Sequence, residues 1–371
     1  MNRNTLSAPV RLLDTPTGVE TVPIDGQRLL TVAAIERESE LVTSYWLASP
    51  DGAALPAPLA GQYLPVTVEA PGHGVLRRTY TISAYEAGRY RLSIKRERLP
   101  GHPPGRVSNH VHEHWALGDL ISIGTPQGHF VLNTMSTRPI VLLAGGIGIT
   151  PLLAMLRELA VCETTRKVVL VAAMRHHRDH PFRNEVAGLV RRMPNLTVHV
   201  RYSEHPEDAD EGPTPDSYGL VDEALLHGLV PAPDVDVYLC GPGPFMNAMD
   251  RILAALGVPD AHVRFEAFGA ATIERRRKEA PATTSDVIPM VSFVKSAVTA
   301  PFDPRALNLL EFAEDLGLNP PFNCRSGSCG TCATKKHSGV IRYTEQPAAV
   351  VADDEVLLCC ALPDGPVSLD L

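Results

Sequence analysis

Five of the seven cysteines of this chain fall between positions 324 and 360, and their spacing suggests a metal centre. Cys324, Cys329 and Cys332 form the pattern C-x4-C-x2-C, and the adjacent Cys359 and Cys360 offer a fourth thiolate. Four thiolates in this spacing are typical of a 2Fe-2S cluster, because its irons are soft acceptors that each need two protein sulfurs. The sequence therefore predicts a 2Fe-2S site.

Three other uses of these cysteines fit the sequence less well. A structural zinc site usually pairs C-x2–4-C units evenly and does not combine a three-cysteine loop with one remote ligand. Disulfide scaffolds belong to small secreted chains. A Rieske centre needs two histidines on one iron, and the loop contains none. The 2Fe-2S cluster remains the favoured interpretation.

A second candidate site is the segment LRRTYTIS at residues 76–83. It resembles the R-x-Y-S/T flavin signature of the ferredoxin-NADP reductase superfamily, with Arg78, Tyr80 and Thr81 at the matching positions, followed by Ile82. An arginine can neutralise a flavin phosphate, a tyrosine can lie against the isoalloxazine or ribityl chain, and a threonine hydroxyl can hydrogen-bond flavin N5. The resemblance implies that this segment binds flavin and that Thr81 has a catalytic role.

The segment IKRERLPGHPPGRVSNHVH at residues 94–112 resembles the K-R-E…G-x-V-S-N-x-L-H block of flavohaemoglobin-type reductases, apart from an inserted LPGHPP. There, a glycine-led turn and the following backbone amides hold the flavin pyrophosphate. A pyrophosphate site favours FAD, whereas FMN-using phthalate dioxygenase reductases carry a different glycine-rich sequence. The implied cofactor-binding residues are Lys95, Gly105, Val107, Ser108 and Asn109.

The segment AGGIGITP at residues 144–151 lies between an apolar strand and a helix-like stretch. It resembles the superfamily's G-G-x-G-x-T-P loop, in which glycines allow close approach of a nicotinamide dinucleotide and a helix N-terminus attracts its pyrophosphate. A tight turn in any doubly wound fold is the alternative for this loop alone. The later YLCGPGPFM favours the dinucleotide site. The implied binding residues are Gly145, Gly146, Gly148, Thr150 and Pro151.

Two further segments are implied to lie close to the reacting rings. In relatives the C-G-P turn, here Cys240, Gly241 and Pro242, lies beside the nicotinamide, although Cys240 would equally suit an inert core thiol. FEAFGA resembles the E-x-F-G segment near the flavin ring, so Glu266 and Phe268 are candidates, and Phe268 is expected to cover the ring. The resemblance thus implies catalytic roles for Cys240, Glu266 and Phe268.

The choice of nicotinamide donor is poorly encoded in the sequence. Arg175 follows the strand-like KVVLVAAM and could meet the 2′-phosphate of NADPH. Many NADH-using relatives also have an arginine near this point. We therefore expect Arg175 to contact the cofactor and expect NADH as the donor.

The elements that must position these residues fall into three domains. Residues 1–26 are expected to be a tail, and 27–136 alternate β-branched segments with Gly/Pro turns, as in an antiparallel β-barrel. Strand and helix alternation over 137–270 predicts an α/β doubly wound parallel sheet. Residues 271–286 are expected to be a linker. Residues 287–371 resemble plant-type ferredoxins, which implies an α+β β-grasp fold.

The ferredoxin resemblance also selects the fourth cluster ligand. In plant-type ferredoxins the ligand cysteine commonly stands four residues before a proline, and Pro363 makes that residue Cys359. Residues 286–371 contain six basic and eleven acidic residues, so this part of the chain could be attracted to a basic partner face.

Composition narrows the class of partner and the cellular compartment. The chain has 34 basic against 42 acidic residues and no long basic block, which argues against nucleic acid. Its longest apolar runs are short for a membrane span, and the start MNRNTLSAP lacks the apolar core of a signal peptide. We expect a cytoplasmic protein without membrane insertion, and a monomer.

Together the motifs resemble three-domain reductases of the ferredoxin-NADP reductase superfamily, the phthalate dioxygenase reductase-like and hybrid-cluster-protein reductase-like proteins. The resemblance implies electron flow from NAD(P)H through FAD and a 2Fe-2S cluster to a separate acceptor protein. That acceptor is expected to be a Rieske or haem-thiolate oxygenase, or another metalloenzyme. The alternatives are a self-contained NAD(P)H oxidase or flavin reductase, and a redox-sensing binding protein.

Overall fold

The computed structural model does not describe every position of the chain. The expected tail and linker, the inserted LPGHPP, and both Cys324 and Cys329 lie outside the described residues. The described residues are 28–70, 74–98, 105–128, 130–205, 212–268, 288–318, 320–322, 330–344, 347 and 351–371.

Strands and helices follow the chain order of the predicted elements. The strands are β1 (Arg28–Arg37), β2 (Val42–Ala48), β3 (Tyr63–Ala70), β4 (Gly74–Glu86), β5 (Arg89–Lys95), β6 (Leu120–Ile123), β7 (Ile140–Gly145), β8 (Val168–Met174), β9 (Leu196–Tyr202), β10 (Ser217–Tyr218), β11 (Asp236–Gly241), β12 (Val263–Ala267), β13 (Met290–Phe293), β14 (Val298–Pro301), β15 (Ala333–Ser338), β16 (Ile341–Tyr343), β17 (Glu355–Leu357), β18 (Ala361–Pro363) and β19 (Val367–Leu369). The α-helices are α1 (Arg106–His114), α2 (Ile149–Val161), α3 (Arg183–Arg192), α4 (Glu223–Leu229), α5 (Gly243–Ala255) and α6 (Leu309–Asp315).

The first six strands close into an antiparallel barrel in the order β1-β2-β5-β4-β3-β6. Alternate residues of each strand point inward, and Leu47, Leu64, Leu92 and Ile123 are among the fully buried side chains that fill the interior. The register between β4 and β5 shifts after Ile82. Such a bulge re-aims the side chains beside it, and this one lies in the segment that resembles a flavin signature.

The second unit is a parallel sheet in the order β10-β9-β8-β7-β11-β12. The chain starts at β7, adds strands on one side through β10, and then returns to place β11 on the other side of β7. Buried residues of α2 and α3 join the core on one face, and those of α5 join the core on the other. In such sheets ligands bind at the carboxyl ends of the strands where the order reverses, which here lies between β7 and β11.

The third unit is a five-stranded sheet in the order β14-β13-β19-β15-β17, with β16 and β18 forming a separate pair. The first and last strands, β13 and β19, are parallel, and the other pairs are antiparallel. The buried side of α6 packs on this sheet through Leu309, Leu310 and Phe312. The barrel, the doubly wound sheet and this β-grasp unit confirm the predicted fold class.

Helix length bears on the membrane question. Within the described residues, none of the helices combines the length and the apolar composition that a bilayer span requires.

Candidate active site

The glycine loop and the C-G-P turn meet at the point where the strand order reverses. β7 ends at Gly145 and β11 ends at Gly241. A Cβ atom on Gly148 would lie 2.2 Å from the carbonyl oxygen of Cys240, and one on Gly145 would lie 2.7 Å from the ring of Phe245. Only glycine fits where the two loops pack this closely. The sequence-predicted loop residues are therefore brought together.

The same loop leads directly into α2. Gly146 has φ of 54°, and a Cβ there would meet nothing within 4 Å, so its backbone faces open space. The Thr150 hydroxyl donates to the Ile147 carbonyl at 3.0 Å, and both Thr150 and Pro151 are buried. Thr150 thus shapes the turn. α2 begins at Ile149 without a side-chain cap, and the Ile149 N–H donates to the Gly146 carbonyl of the preceding turn. The positive end of the helix dipole faces the glycine loop, which suits an anion such as a pyrophosphate.

Cys240 and Glu266 lie on adjacent strands in direct register, and Pro242 follows as the N-cap of α5. The Cys240 thiol is fully buried, and burial, followed by the charge of Glu266, raises its pKa well above the ordinary value. The thiol is therefore neutral at physiological pH, which suits packing against a ring better than nucleophilic chemistry. Phe268 is half-buried against the core that includes Cys240.

The flavin-like segment lies on β4, where Thr81 pairs with Tyr63 of β3. Thr81 is only 6% exposed, yet within the described part of the chain its Oγ1 has no hydrogen-bond partner. A buried hydroxyl without a partner is unusual in a native protein and calls for a ligand. A flavin edge carries such hydrogen-bonding atoms, so this orphaned hydroxyl fits a bound flavin.

The neighbours of Thr81 have different environments. Tyr80 is half-buried, and burial raises the pKa of its phenol although the charge of Arg78 opposes this, so Tyr80 stays neutral. The Arg78 side chain is exposed, so its guanidinium is accessible to a phosphate group. The Ile82 side chain lies in the barrel core, and its backbone N–H donates to the Gln62 carbonyl at 2.9 Å. The side chain of Ile82 therefore supports the strand.

The G-x-V-S-N block begins α1, with Gly105 as its N-cap and no side-chain cap. Val107 is buried in the barrel core. The Ser108 hydroxyl accepts from the Glu97 N–H at 3.3 Å, and the Asn109 amide donates to the carbonyls of Glu97 at 2.9 Å and Gly105 at 2.7 Å. These two side chains fasten the start of α1 to the chain after β5 and leave the first helix amides to a ligand.

Arg96 is a further candidate cofactor-binding residue that the sequence motifs did not single out, although the three basic residues of KRER could have indicated it. Its guanidinium donates to Asn109 Oδ1 at 3.0 Å and pairs with Glu113. Arg98 reaches the same Oδ1 at 3.3 Å, while Lys95 lies 4.0 Å from Glu97. Two arginines therefore gather at the start of α1, where positive charge suits a pyrophosphate.

At the cluster site, the structure brings together Cys332 and Cys359, whose sulfur atoms lie 3.2 Å apart. Both side chains are buried, the separation is too long for a disulfide, and the two thiols are near enough to become ligands of one metal ion. The sulfur of the neighbouring Cys360 instead faces the Leu357 carbonyl at 3.7 Å. Two thiols at this spacing fit iron-sulfur ligation.

Arg175 follows β8 at the carboxyl edge of the sheet and is half exposed. Its Nε lies 3.5 Å from the Glu204 carboxylate, and the Glu204 N–H donates to the Arg175 carbonyl at 3.0 Å. The acidic partner of this arginine is not visible in the local sequence, because Glu204 lies 29 positions further on and follows another strand, β9.

A barrel carrying an orphaned hydroxyl, next to a doubly wound sheet whose glycine loops meet at the switch point, defines a flavin- and nicotinamide-dependent oxidoreductase. Family models agree: residues 30–132 match an oxidoreductase FAD-binding domain, 142–251 an oxidoreductase NAD-binding domain, and 293–364 a 2Fe-2S iron-sulfur cluster binding domain. The chain belongs to the ferredoxin-NADP reductase superfamily and has its three-domain FAD, NAD and 2Fe-2S architecture.

Individual relatives cover different parts of the chain. The flavohemoprotein of Bordetella pertussis is 38% identical over 247 residues, which are 66% of this chain and 61% of that protein. The FAD/NAD-binding domain of a Vibrio cholerae nitric oxide dioxygenase is 33% identical with a TM-score of 0.60, over 65% of this chain and 98% of that one. Phthalate dioxygenase reductase is 26% identical with a TM-score of 0.55, over 94% of this chain and 98% of that one.

Proposed function

We propose that this oxidoreductase takes electrons from NADH and delivers them one at a time, through its C-terminal cluster, to a separate acceptor protein. The buried pair of Cys332 and Cys359 sulfurs, in the same chain as the flavin and nucleotide sites, carries the proposal. Likeness to phthalate dioxygenase reductase over 94% of the chain supports it, since that protein is described as transferring electrons from pyridine nucleotides to [2Fe-2S]. A Rieske or haem-thiolate oxygenase, or another metalloenzyme, is the proposed acceptor.

Bound FAD would supply the conversion of a two-electron donor into one-electron transfers, and a 2Fe-2S cluster would carry single electrons outward. The chain's own residues have simpler tasks. Thr81 would donate its buried hydroxyl to the flavin edge, and Arg78, with the start of α1, would bind the phosphates. Glycines 145, 146 and 148 would admit the dinucleotide. Cys240, Glu266 and Phe268 would pack beside the reacting rings and help to exclude water.

The donor proposed is NADH. The carboxylate of Glu204 beside Arg175 offsets the positive charge that a 2′-phosphate would need and adds repulsion against that phosphate. The same carboxylate is an acceptor for a ribose hydroxyl.

For the cluster we propose Cys324, Cys329, Cys332 and Cys359 as ligands. We also propose domain boundaries at 27–136, 137–270 and 287–371, with a tail at 1–26 and a linker at 271–286. We propose that the protein is a monomer. We also propose that it lies in the cytoplasm, because thiols that bind iron need a reducing compartment.

The test compares Cys359→Ser with Cys360→Ser in the full chain. We expect Cys359→Ser to lose the cluster and NADH-driven cytochrome c reduction while keeping ferricyanide reduction, because ferricyanide takes electrons directly from flavin. Cys360→Ser should keep both activities. If Cys359→Ser loses the cluster and still reduces cytochrome c at the full rate, the cluster is not the exit, and a self-contained NADH oxidase or flavin reductase becomes the better description. If Cys359→Ser keeps the cluster and Cys360→Ser loses it, the fourth ligand is Cys360.

A further inference from the structure

Four charged side chains form an interdomain network between the barrel and the nucleotide-binding sheet. Arg91 of β5 donates to Glu185 of α3, with Nη1 and Oε2 2.8 Å apart. The other oxygen of Glu185 accepts from Arg157 of α2, and Arg157 also pairs with Glu86 of β4 at 2.8 Å. The network therefore crosses the boundary between the two units twice.

Arg91 is the buried centre of this network. Its side chain is 5% exposed, and its Nε donates to the Ser83 hydroxyl at 3.0 Å. The guanidinium lies over the rings of Trp46 at 5.5 Å and Phe182 at 5.0 Å. A desolvated guanidinium needs carboxylate partners, because a buried charge without a partner is strongly unfavourable. Glu38, just after β1, lies 4.0 Å from Arg91, so Glu185 at 2.8 Å is the closer partner and the one on the other unit. The contact with Glu185 therefore restricts how α3 can lie against β5, which an exposed surface ion pair would not do.

Phe182 adds a conformational constraint on the same contact. It is the residue before α3 and has φ of 62°, in the left-handed region that bulky residues rarely adopt. Such a conformation persists only where the surroundings hold it, and it is found most often at functional sites. Here it places the Phe182 ring under Arg91 and begins α3 so that Glu185 falls in the first turn, where a negative charge is favourable.

The network connects the two elements that must set the distance between flavin and nicotinamide. Ser83 and Glu86 follow Thr81 on β4 by two and five residues. Arg157 lies on α2, the helix that begins at the glycine loop, and α2 packs directly against β4. Moving α2 relative to β4 would change the separation of the reacting rings, and transfer rates fall steeply with small misplacements of this kind.

We propose that Arg91 and Glu185 are positioning residues for electron transfer from the nicotinamide to the flavin, fixing the orientation of α2 against β4. They touch neither cofactor in the proposed site, and they act through the elements that carry Thr81 and the glycine loop. The proposal rests on the proposed function only in that NADH is taken to reduce a flavin bound at Thr81.

The experiment uses the full chain with FAD bound and compares Glu185→Gln and Arg91→Lys with Arg89→Lys as the matched control. Arg89 lies on the same strand and also stacks over Trp46, at 5.4 Å, but does not reach Glu185. Stopped-flow measurement should show that the limiting rate of flavin reduction falls about ten- to a hundred-fold in the first two variants. Flavin content and the rate in Arg89→Lys should stay within about two-fold of wild type.

Two further measurements separate positioning from stability. Hydrogen–deuterium exchange without NADH should rise at the start of α3 and along β5 in Glu185→Gln and not in Arg89→Lys. The double variant Arg91→Lys/Glu185→Gln should be about as slow as the slower single variant, because both changes break one contact. If Glu185→Gln does not fold, Glu185→Asp, whose shorter side chain keeps the charge but withdraws it from Arg91, tests the same contact.

The outcomes are distinguishable. Wild-type flavin-reduction rates in Glu185→Gln and Arg91→Lys, or in Glu185→Asp if that variant is needed, overturn the positioning role while leaving the proposed function intact. A loss explained wholly by lost flavin makes the network structural only and also overturns the positioning role. If the wild-type protein itself shows no flavin reduction by NADH, the proposed function fails first.

Discussion

Replacing Thr81 with valine tests the flavin site most sharply, because the change should have opposite effects on stability and on catalysis. Valine has nearly the shape of threonine and lacks the hydroxyl, which is buried and without a partner in the described protein. An unsatisfied buried hydroxyl costs about 1–3 kcal/mol, so removing it should stabilise the flavin-free protein by about 1 kcal/mol.

With flavin bound, the same change removes a hydrogen bond to the ring. If that bond strengthens as the flavin accepts electrons, its loss of about 1.4 kcal/mol slows flavin reduction about ten-fold. The assay is stopped-flow reduction by saturating NADH, paired with urea unfolding of flavin-stripped protein. Thr197→Val on the exposed side of β9 is the control, and it should change neither quantity.

An unchanged limiting rate in Thr81→Val would refute the role of the hydroxyl. A clear fall in the stability of the flavin-free variant would show that the Thr81 hydroxyl has a partner in the protein, and would remove the basis for its proposed hydrogen bond to flavin.

Three other predictions concern the nucleotide-binding sheet. Gly148→Ala places a Cβ 2.2 Å from the Cys240 carbonyl, so thermal melting should show about 1–3 kcal/mol of destabilisation, and NADH should bind more weakly. The control is Gly228→Ala on α4, where a Cβ would meet open space, and it should be neutral or stabilising. Burial alone would raise the pKa of Asp236, but hydrogen bonds and charges from Ser136 and the surrounding arginines lower it below the ordinary value of an aspartate. The ionised carboxylate therefore stabilises the folded protein above the ordinary pKa, and this stabilisation is lost as the pH falls through the lowered pKa. Asp236→Asn should therefore flatten the acid side of a plot of stability against pH. Glu204→Gln should raise kcat/KM for NADPH relative to NADH, and an unchanged ratio would remove Glu204 from donor selection.

Much of the fold could be predicted because its signals are local. The change from β-branched segments with Gly/Pro turns to alternating strands and helices separated the barrel from the doubly wound sheet, as the structure confirms. Glycines 145 and 148 were found because the resemblance implies a close approach of a dinucleotide. The structure adds a second reason, since a Cβ at Gly148 would meet the Cys240 carbonyl and one at Gly145 would meet the Phe245 ring.

The sequence did not predict what individual side chains of the cofactor motifs contact, because this depends on the direction in which each side chain points. Ile82 belongs to the flavin-like segment, but the pleat of β4 turns its side chain into the barrel core. Ser108 and Asn109 are in register with a cofactor block, yet their side chains bind the backbone around Glu97 and Gly105. A motif identifies a segment, and the packing of the strand or helix determines what each side chain contacts.

The sequence by itself determined the chemistry available to this protein: cysteines spaced for a 2Fe-2S cluster, a flavin-like strand, and glycine loops for a dinucleotide. Tertiary structure alone decided which groups meet. Glu185 pairs with Arg91 across 94 positions and with Arg157 across 28, and Arg175 meets Glu204 from a neighbouring strand. Spacing and periodicity describe residues within one element, whereas these partners are selected by how distant elements pack, so no local pattern could reveal them.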